Sequence, residues 1–186
     1  YEISCSLVGS EMCIRDSPIE AHTDLVKKLD YECELAVVLG KDARDVPAGQ
    51  TRDYIFGYTI LNDVSARDVQ TAHKQWYFGK SLDGFTPIGP CIVTADAFAD
   101  YPPRLGIRSF VNGEKRQDSN TALQIFDIDH VIAELSQGMT LKAGTIIATG
   151  TPAGVGMGMD PPQFLKPGDV VRCEIDGIGT LTNPVK

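Results

Sequence analysis

The chain has 186 residues, 42% apolar and 23% charged, a composition that suits one globular domain with its own core. A formal charge of −8 without any Lys/Arg run speaks against nucleic acid as a partner, and no apolar stretch reaches the length of a membrane span. No basic segment followed by an apolar one reads as a signal peptide. The five cysteines (Cys5, Cys13, Cys33, Cys91 and Cys173) are odd in number and form no CxxC pair, which fits reduced thiols in a cytoplasmic protein better than a disulfide framework or a zinc site.

Residues 1–17 (YEISCSLVGSEMCIRDS) have neither helical nor strand period and stop abruptly before Pro18. The string resembles a translated sequencing-adapter read-through, so it is read as a non-native segment, with the fold expected over 18–186. From there the chain reads as short strands separated by turn chemistry. Residues 29–39 (LDYECELAVVL) alternate and then become continuously apolar, as in a strand entering a core, and 53–61 (DYIFGYTIL) form a second strand. Residues 65–75 are helix-like, with Asp63 and Ser65 as cap candidates. Strands follow at 87–94 and 105–111, and Asn112-Gly113 is a hairpin signal that returns the chain through EKRQDSN. Residues 129–136 make an amphipathic helix stopped by Gly138. A strand at 145–149, the turn-rich GTPAGVGMG and a final pair, 169–175 and 179–183, complete a single mostly-β domain with few short helices.

Glu32 and Glu34, two apart on the first strand, point to one face, and both enter an apolar run. Carboxylates there are costly unless a cation compensates them. Asp63, just past the second strand, offers a third oxygen ligand. Three carboxylates without a His or Cys cluster describe a hard-ion site, for Mg²⁺ or Mn²⁺, with Ca²⁺ also fitting. Spacing alone leaves the alternative open: an edge strand with Glu32 and Glu34 in solvent, and Asp63 as a plain helix cap.

Five stretches occur in a characteristic order: DYECELAVVLG, GYTILNDVSARDVQ, WYFGKSLDGFTPIGP, RQDSNT and SQGMTLKAGTIIATGTPAGVG. Together they resemble the fumarylacetoacetate hydrolase family over essentially all of 18–186. The resemblance implies a mixed β-sheet roll of several layers and a divalent ion held by Glu32, Glu34 and Asp63. It further implies that Lys80 faces the metal and substrate as a catalytic residue, and that Arg67, Gln70, Thr151 and Gly150 contact substrate. Trp76, Tyr77 and Phe78 beside Lys80 suggest its partial burial; otherwise it reads as a surface lysine, and Arg67 as an ordinary helix ion-pair partner. The implied substrates are small 2-oxo or β-diketo acids. The implied reactions are C–C hydrolysis, decarboxylation or keto–enol isomerisation through a metal-stabilised enolate, in a homodimeric enzyme of the kind that serves aromatic catabolism. The His–Glu dyad that hydrolytic members carry on an N-terminal lid has no match here: His22, His73 and His130 lie outside its pattern. The lid portion is therefore expected to be missing, and the alternative is a catalytically impaired scaffold that binds metal and a carboxylate.

Overall fold

The computed structural model describes residues 17–72 and 75–186; the expectations for 1–16, including Cys5 and Cys13, and for His73 lie outside the described residues. The chain opens with two short segments, β1 (Leu29–Asp30) and β2 (Cys33–Leu39), where one long strand is expected from sequence. The break has a local cause. The Tyr31 N–H donates to Asp30 Oδ1 and the Glu32 N–H to Asn62 Oδ1, so side chains replace ladder partners at that point. β1 pairs with β4 (Ser65–Ala66), whereas β2 pairs with β3 (Ile55–Asn62) on one side and β8 (Ile146–Ala148) on the other. The chain thus changes sheets between Asp30 and Cys33, where its acidic residues lie.

The expected helix over 65–75 is shorter. Ser65 and Ala66 are taken by the β1 pairing, and the Ser65 hydroxyl donates to the Asp63 carbonyl, so α1 (Arg67–Ala72 among the described residues) starts only at Arg67. One-turn α2 (Tyr77–Lys80) follows, then β5 (Ile88–Thr94), which pairs with β3. β6 (Gly106–Val111) and β7 (Glu114–Asn120) form the expected hairpin. Asn112 and Gly113 both have positive φ, 52° and 84°, as a primed turn requires. α3 (Ile128–Leu135) starts one residue early because Asp127 is the cap, its carboxylate accepting the His130 N–H. β9 (Val170–Ile175) and β10 (Gly179–Pro184) close the chain.

Two four-stranded antiparallel sheets result, ordered β5-β3-β2-β8 and β10-β9-β6-β7. They pack through β2 and β3 against β6, β9 and β10, with Leu35, Val37, Tyr58, Ile60, Ile107, Val171, Ile175 and Leu181 in one buried cluster. Each such aliphatic side chain contributes about 1.5–3 kcal/mol by leaving water. This is the mostly-β architecture with few short helices that the sequence implies. Cys33, Cys91 and Cys173 are free thiols. Among the described residues no helix is long and apolar enough to cross a membrane.

Candidate metal and active site

β2 is buried along its whole length, on both faces, and Glu34 lies inside it between Cys33 and Leu35. Glu32 precedes the strand, and Asp63 follows β3, which runs antiparallel beside it with Cys33 opposite Asn62. The Asp63 N–H donates to the Glu32 carbonyl at 2.8 Å, so one backbone bond holds two acidic side chains in register. Carboxylate oxygens of Glu32, Glu34 and Asp63 lie within 4.8 Å of one another.

Two cations answer them. Lys80 Nζ is 2.8 Å from Glu32 Oε2 and 2.6 Å from Asp63 Oδ2. Arg67 Nη2 is 2.6 Å from Glu32 Oε1, its Nε donates to Asp30 Oδ2 at 2.9 Å, and its Nη1 donates to Gln70 Oε1 at 3.2 Å. Lys80 is only 4% exposed, while neighbouring Trp76, Tyr77 and Phe78 are all exposed. Its burial therefore comes from the carboxylates it reaches, and the flanking aromatics are not the cause.

Among the described residues no cation forms an ion pair with Glu34; its Oε2 accepts the Gly150 N–H at 2.8 Å. Desolvation, then the negative charges of Asp63 and Glu32, hold its carboxyl well above the usual range, and the Gly150 N–H and Lys80 only partly offset them. Burial also raises Asp63, against the pull of Lys80. Burial disfavours the charged forms of Lys80 and Arg67, but the neighbouring carboxylates outweigh it and both are raised.

With Arg67 balanced by Asp30, Glu32, Glu34 and Asp63 against Lys80 leave two formal negative charges in excess in a buried space. A divalent cation with all-oxygen ligands fits that excess, and the donor set is that of a hard ion.

The cleft over this floor has a volume of about 620 Å³. The sequence-derived residues Glu32, Glu34, Asp63, Arg67, Gln70, Lys80, Gly150 and Thr151 all line it. Gly150 has φ of 91°, the left-handed conformation that turns its N–H onto Glu34. The Thr151 hydroxyl donates to the Cys33 carbonyl at 3.0 Å and accepts from Gln117 Nε2 at 2.7 Å, so it ties the loop to β2. The rim is apolar, including Leu123, Ile125, Phe126 and Met157.

A description of the fumarylacetoacetate hydrolase C-terminal region matches residues 5–186. The chain belongs to the fumarylacetoacetate hydrolase family. Within that family it is similar to a fumarylacetoacetate hydrolase from Exiguobacterium antarcticum, 51% identical with a TM-score of 0.90, covering 93% of this chain and 62% of that one. A 2-hydroxyhepta-2,4-diene-1,7-dioate isomerase from Mycobacterium marinum is 43% identical with a TM-score of 0.81, covering 92% and 64%. The oxaloacetate tautomerase YisK of Bacillus subtilis is 48% identical over 167 residues, 90% of this chain and 55% of that protein. The chain thus spans little more than half the length of the curated relatives it matches.

Three polar residues of the site have no assigned role from sequence. Asp30 precedes the Glu-x-Glu pair but looks like a strand-start residue. Gln117 sits in the RQDSNT stretch; it is fully buried, accepts the Cys33 N–H and donates to Thr151 and to the Pro152 carbonyl. Gln124, which donates to the Thr149 hydroxyl, lies on a segment without periodicity. Only Asp30 and Gln117 had a signal, a polar residue inside an apolar or motif-bearing stretch. The His22 Nε2–H donates to the Asp83 carbonyl at 2.7 Å, and His130 stacks on Phe126; neither lines the cleft.

Proposed function

We propose that this chain carries the divalent-metal centre of an enzyme acting on small 2-oxo or β-diketo acids, with keto–enol tautomerisation of an oxaloacetate-like substrate as the leading reaction. The buried Glu32–Glu34–Asp63 cluster, two charges short of neutrality at the floor of a cleft, carries this reading. The names of the similar proteins, a tautomerase and an isomerase among them, support it. Mg²⁺ or Mn²⁺ is the proposed ion, and bound there it supplies Lewis acidity toward the adjacent oxygens of a 2-oxo acid.

The remaining work falls to side chains. Lys80 keeps a positive charge beside the Asp63 and Glu32 oxygens, where charge develops on the substrate oxygen as a proton leaves carbon. Arg67 meets the substrate carboxylate with the N–H groups left after Asp30, Glu32 and Gln70 are satisfied. Gln70 orients that guanidinium, and Gly150 and Thr151 hold the loop wall against β2. Decarboxylation and C–C hydrolysis use the same platform, and the reading includes a cytoplasmic homodimer.

The test follows decay of enol-oxaloacetate by ultraviolet absorbance in metal-stripped buffer, then with Mg²⁺, Mn²⁺ or Ca²⁺. The expected result is acceleration above the spontaneous rate that EDTA removes and Lys80→Met abolishes. A folded, metal-binding chain that accelerates neither this nor any 2-oxo acid cleavage would be the non-catalytic scaffold instead.

A further inference from the structure

Asp30 is fully buried and touches neither the cleft nor the three carboxylates that face it, yet both of its oxygens are fully engaged. Oδ1 accepts the N–H groups of Tyr31 at 2.9 Å and Gly156 at 2.7 Å. Oδ2 accepts the Met157 N–H at 2.9 Å and Arg67 Nε at 2.9 Å. One carboxylate therefore joins α1, the start of the acidic strand and the turn at 156–158 that brings Met157 to the rim. The turn is shaped for this contact: a Cβ at position 156 would collide with the Gln163 carbonyl and with Asp30 Oδ1.

Arg67 lies at the other end of the link. Its Nε is held by Asp30 and its Nη2 by Glu32, which sets the plane of the guanidinium over the floor. A guanidinium recognises a carboxylate through a planar fork, so its affinity for an anion depends on that plane being fixed before the ligand arrives.

We infer that Asp30 is a positioning residue that sets substrate affinity by holding Arg67 and the Met157 turn in one register. The inference rests on the proposed keto-acid function.

In Asp30→Asn the negative charge is lost and one oxygen becomes an amide N–H₂ facing two N–H donors, so the charge-assisted tether to Arg67 weakens together with the loop tethers. The expected result is a KM for oxaloacetate raised about tenfold, the loss of one charge-assisted hydrogen bond, with kcat and Mn²⁺ affinity within threefold of wild type. Arg67→Gln is expected to raise KM by at least as much. If Asp30 acts through Arg67, the double variant Asp30→Asn/Arg67→Gln shows no further rise. That pair removes one buried charge of each sign and leaves the net charge as in wild type, so it reports the coupling even where Asp30→Asn alone fails to fold. Additive losses, or a fall in kcat and Mn²⁺ affinity at unchanged KM, would overturn the inference. Oxalate, a planar dicarboxylate, is titrated into the Mn²⁺-loaded proteins in parallel. Wild type that binds oxalate without turnover removes the proposed activity, and Asp30→Asn then upholds the inference by weakening oxalate about tenfold or overturns it by leaving binding unchanged. Wild type that neither binds nor turns over removes both.

Discussion

In the sheet ordered β10-β9-β6-β7, charge lies where strand alternation puts it. Along β9, Arg172 and Glu174 pair at 3.2 Å on the outer side, while Val171, Cys173 and Ile175 are buried. In the sheet ordered β5-β3-β2-β8, β2 is buried on both faces and carries Glu34 inside it, with Glu32 at its entry. A partly exposed pair such as Arg172–Glu174 is solvated and screened, and little depends on it. The carboxylates of the second sheet are almost wholly withdrawn from solvent. They exist as a cluster only because Lys80, Arg67 and backbone N–H groups meet part of their charge, and the unmet part makes the place a candidate cation site. The same residue type is scaffold in one sheet and chemistry in the other, according to what surrounds it.

That contrast can be broken most forcefully in the scaffold sheet. Leu181 on β10 is fully buried, so Leu181→Ala should cost about 2–5 kcal/mol in denaturant or thermal unfolding. Its stabilisation by Mn²⁺ should be untouched, because no ligand oxygen lies on that sheet. A lost Mn²⁺ response in a folded Leu181→Ala protein would mean that the two sheets are not separable in this way.

Glu34→Ala is the converse. A cation at 100 times its Kd should stabilise wild type by about 2.7 kcal/mol, and this variant should lose that gain. It should melt no lower than wild type in EDTA, because a carboxylate that burial and like charges disfavour has gone. Retention of the gain would place the ion elsewhere.

The smallest effect is on pH. Unfolded Glu34 and Asp63 titrate near 4.5 and 3.8, and folding raises both. Between those values and the raised ones the folded state binds more protons than the unfolded state. Stability of the metal-free protein should therefore fall as pH rises above about 4.5, by up to about 1.4 kcal/mol per pH unit for each group, and level off once both are ionised in the fold. Saturating Mn²⁺ displaces those protons, so it should flatten the decline, and its stabilising effect should grow with pH over the same range. Melting temperatures from pH 4.5 to 8, with and without Mn²⁺, test this; a metal-free midpoint that climbs through that range would contradict the buried, uncompensated state of Glu34.

Much of this molecule could be read from local pattern. Alternation and turn residues suffice for β6, β7, β9 and β10, because a hairpin such as Asn112-Gly113 is specified by its own φ requirements and its strands by the period of two. The acidic triad was legible for a related reason: Glu32 and Glu34 violate the apolar pattern around them, and a violation inside a core stretch marks a site. Other features had no local cause to read. The break of the first strand at Tyr31–Glu32 depends on Asn62, thirty residues away, and the short α1 depends on β1 capturing Ser65 and Ala66. Lys80 looked buried for its aromatic neighbours, yet they stand exposed while its ammonium reaches back to Glu32 and Asp63. Asp30 and Gln117 stand in motif-bearing stretches, but what they hold is visible only once the 150–158 loop folds over them. The sequence by itself determined the strands and the tight turns and brought the three carboxylates forward as candidate ligands, since each rests on interactions between near neighbours or on a cost that any core would impose. Only the tertiary structure decided how the charges balance and which side chains hold Arg67 and the loop in place, because those bonds join segments distant in the chain and their worth depends on burial that no single segment can provide alone.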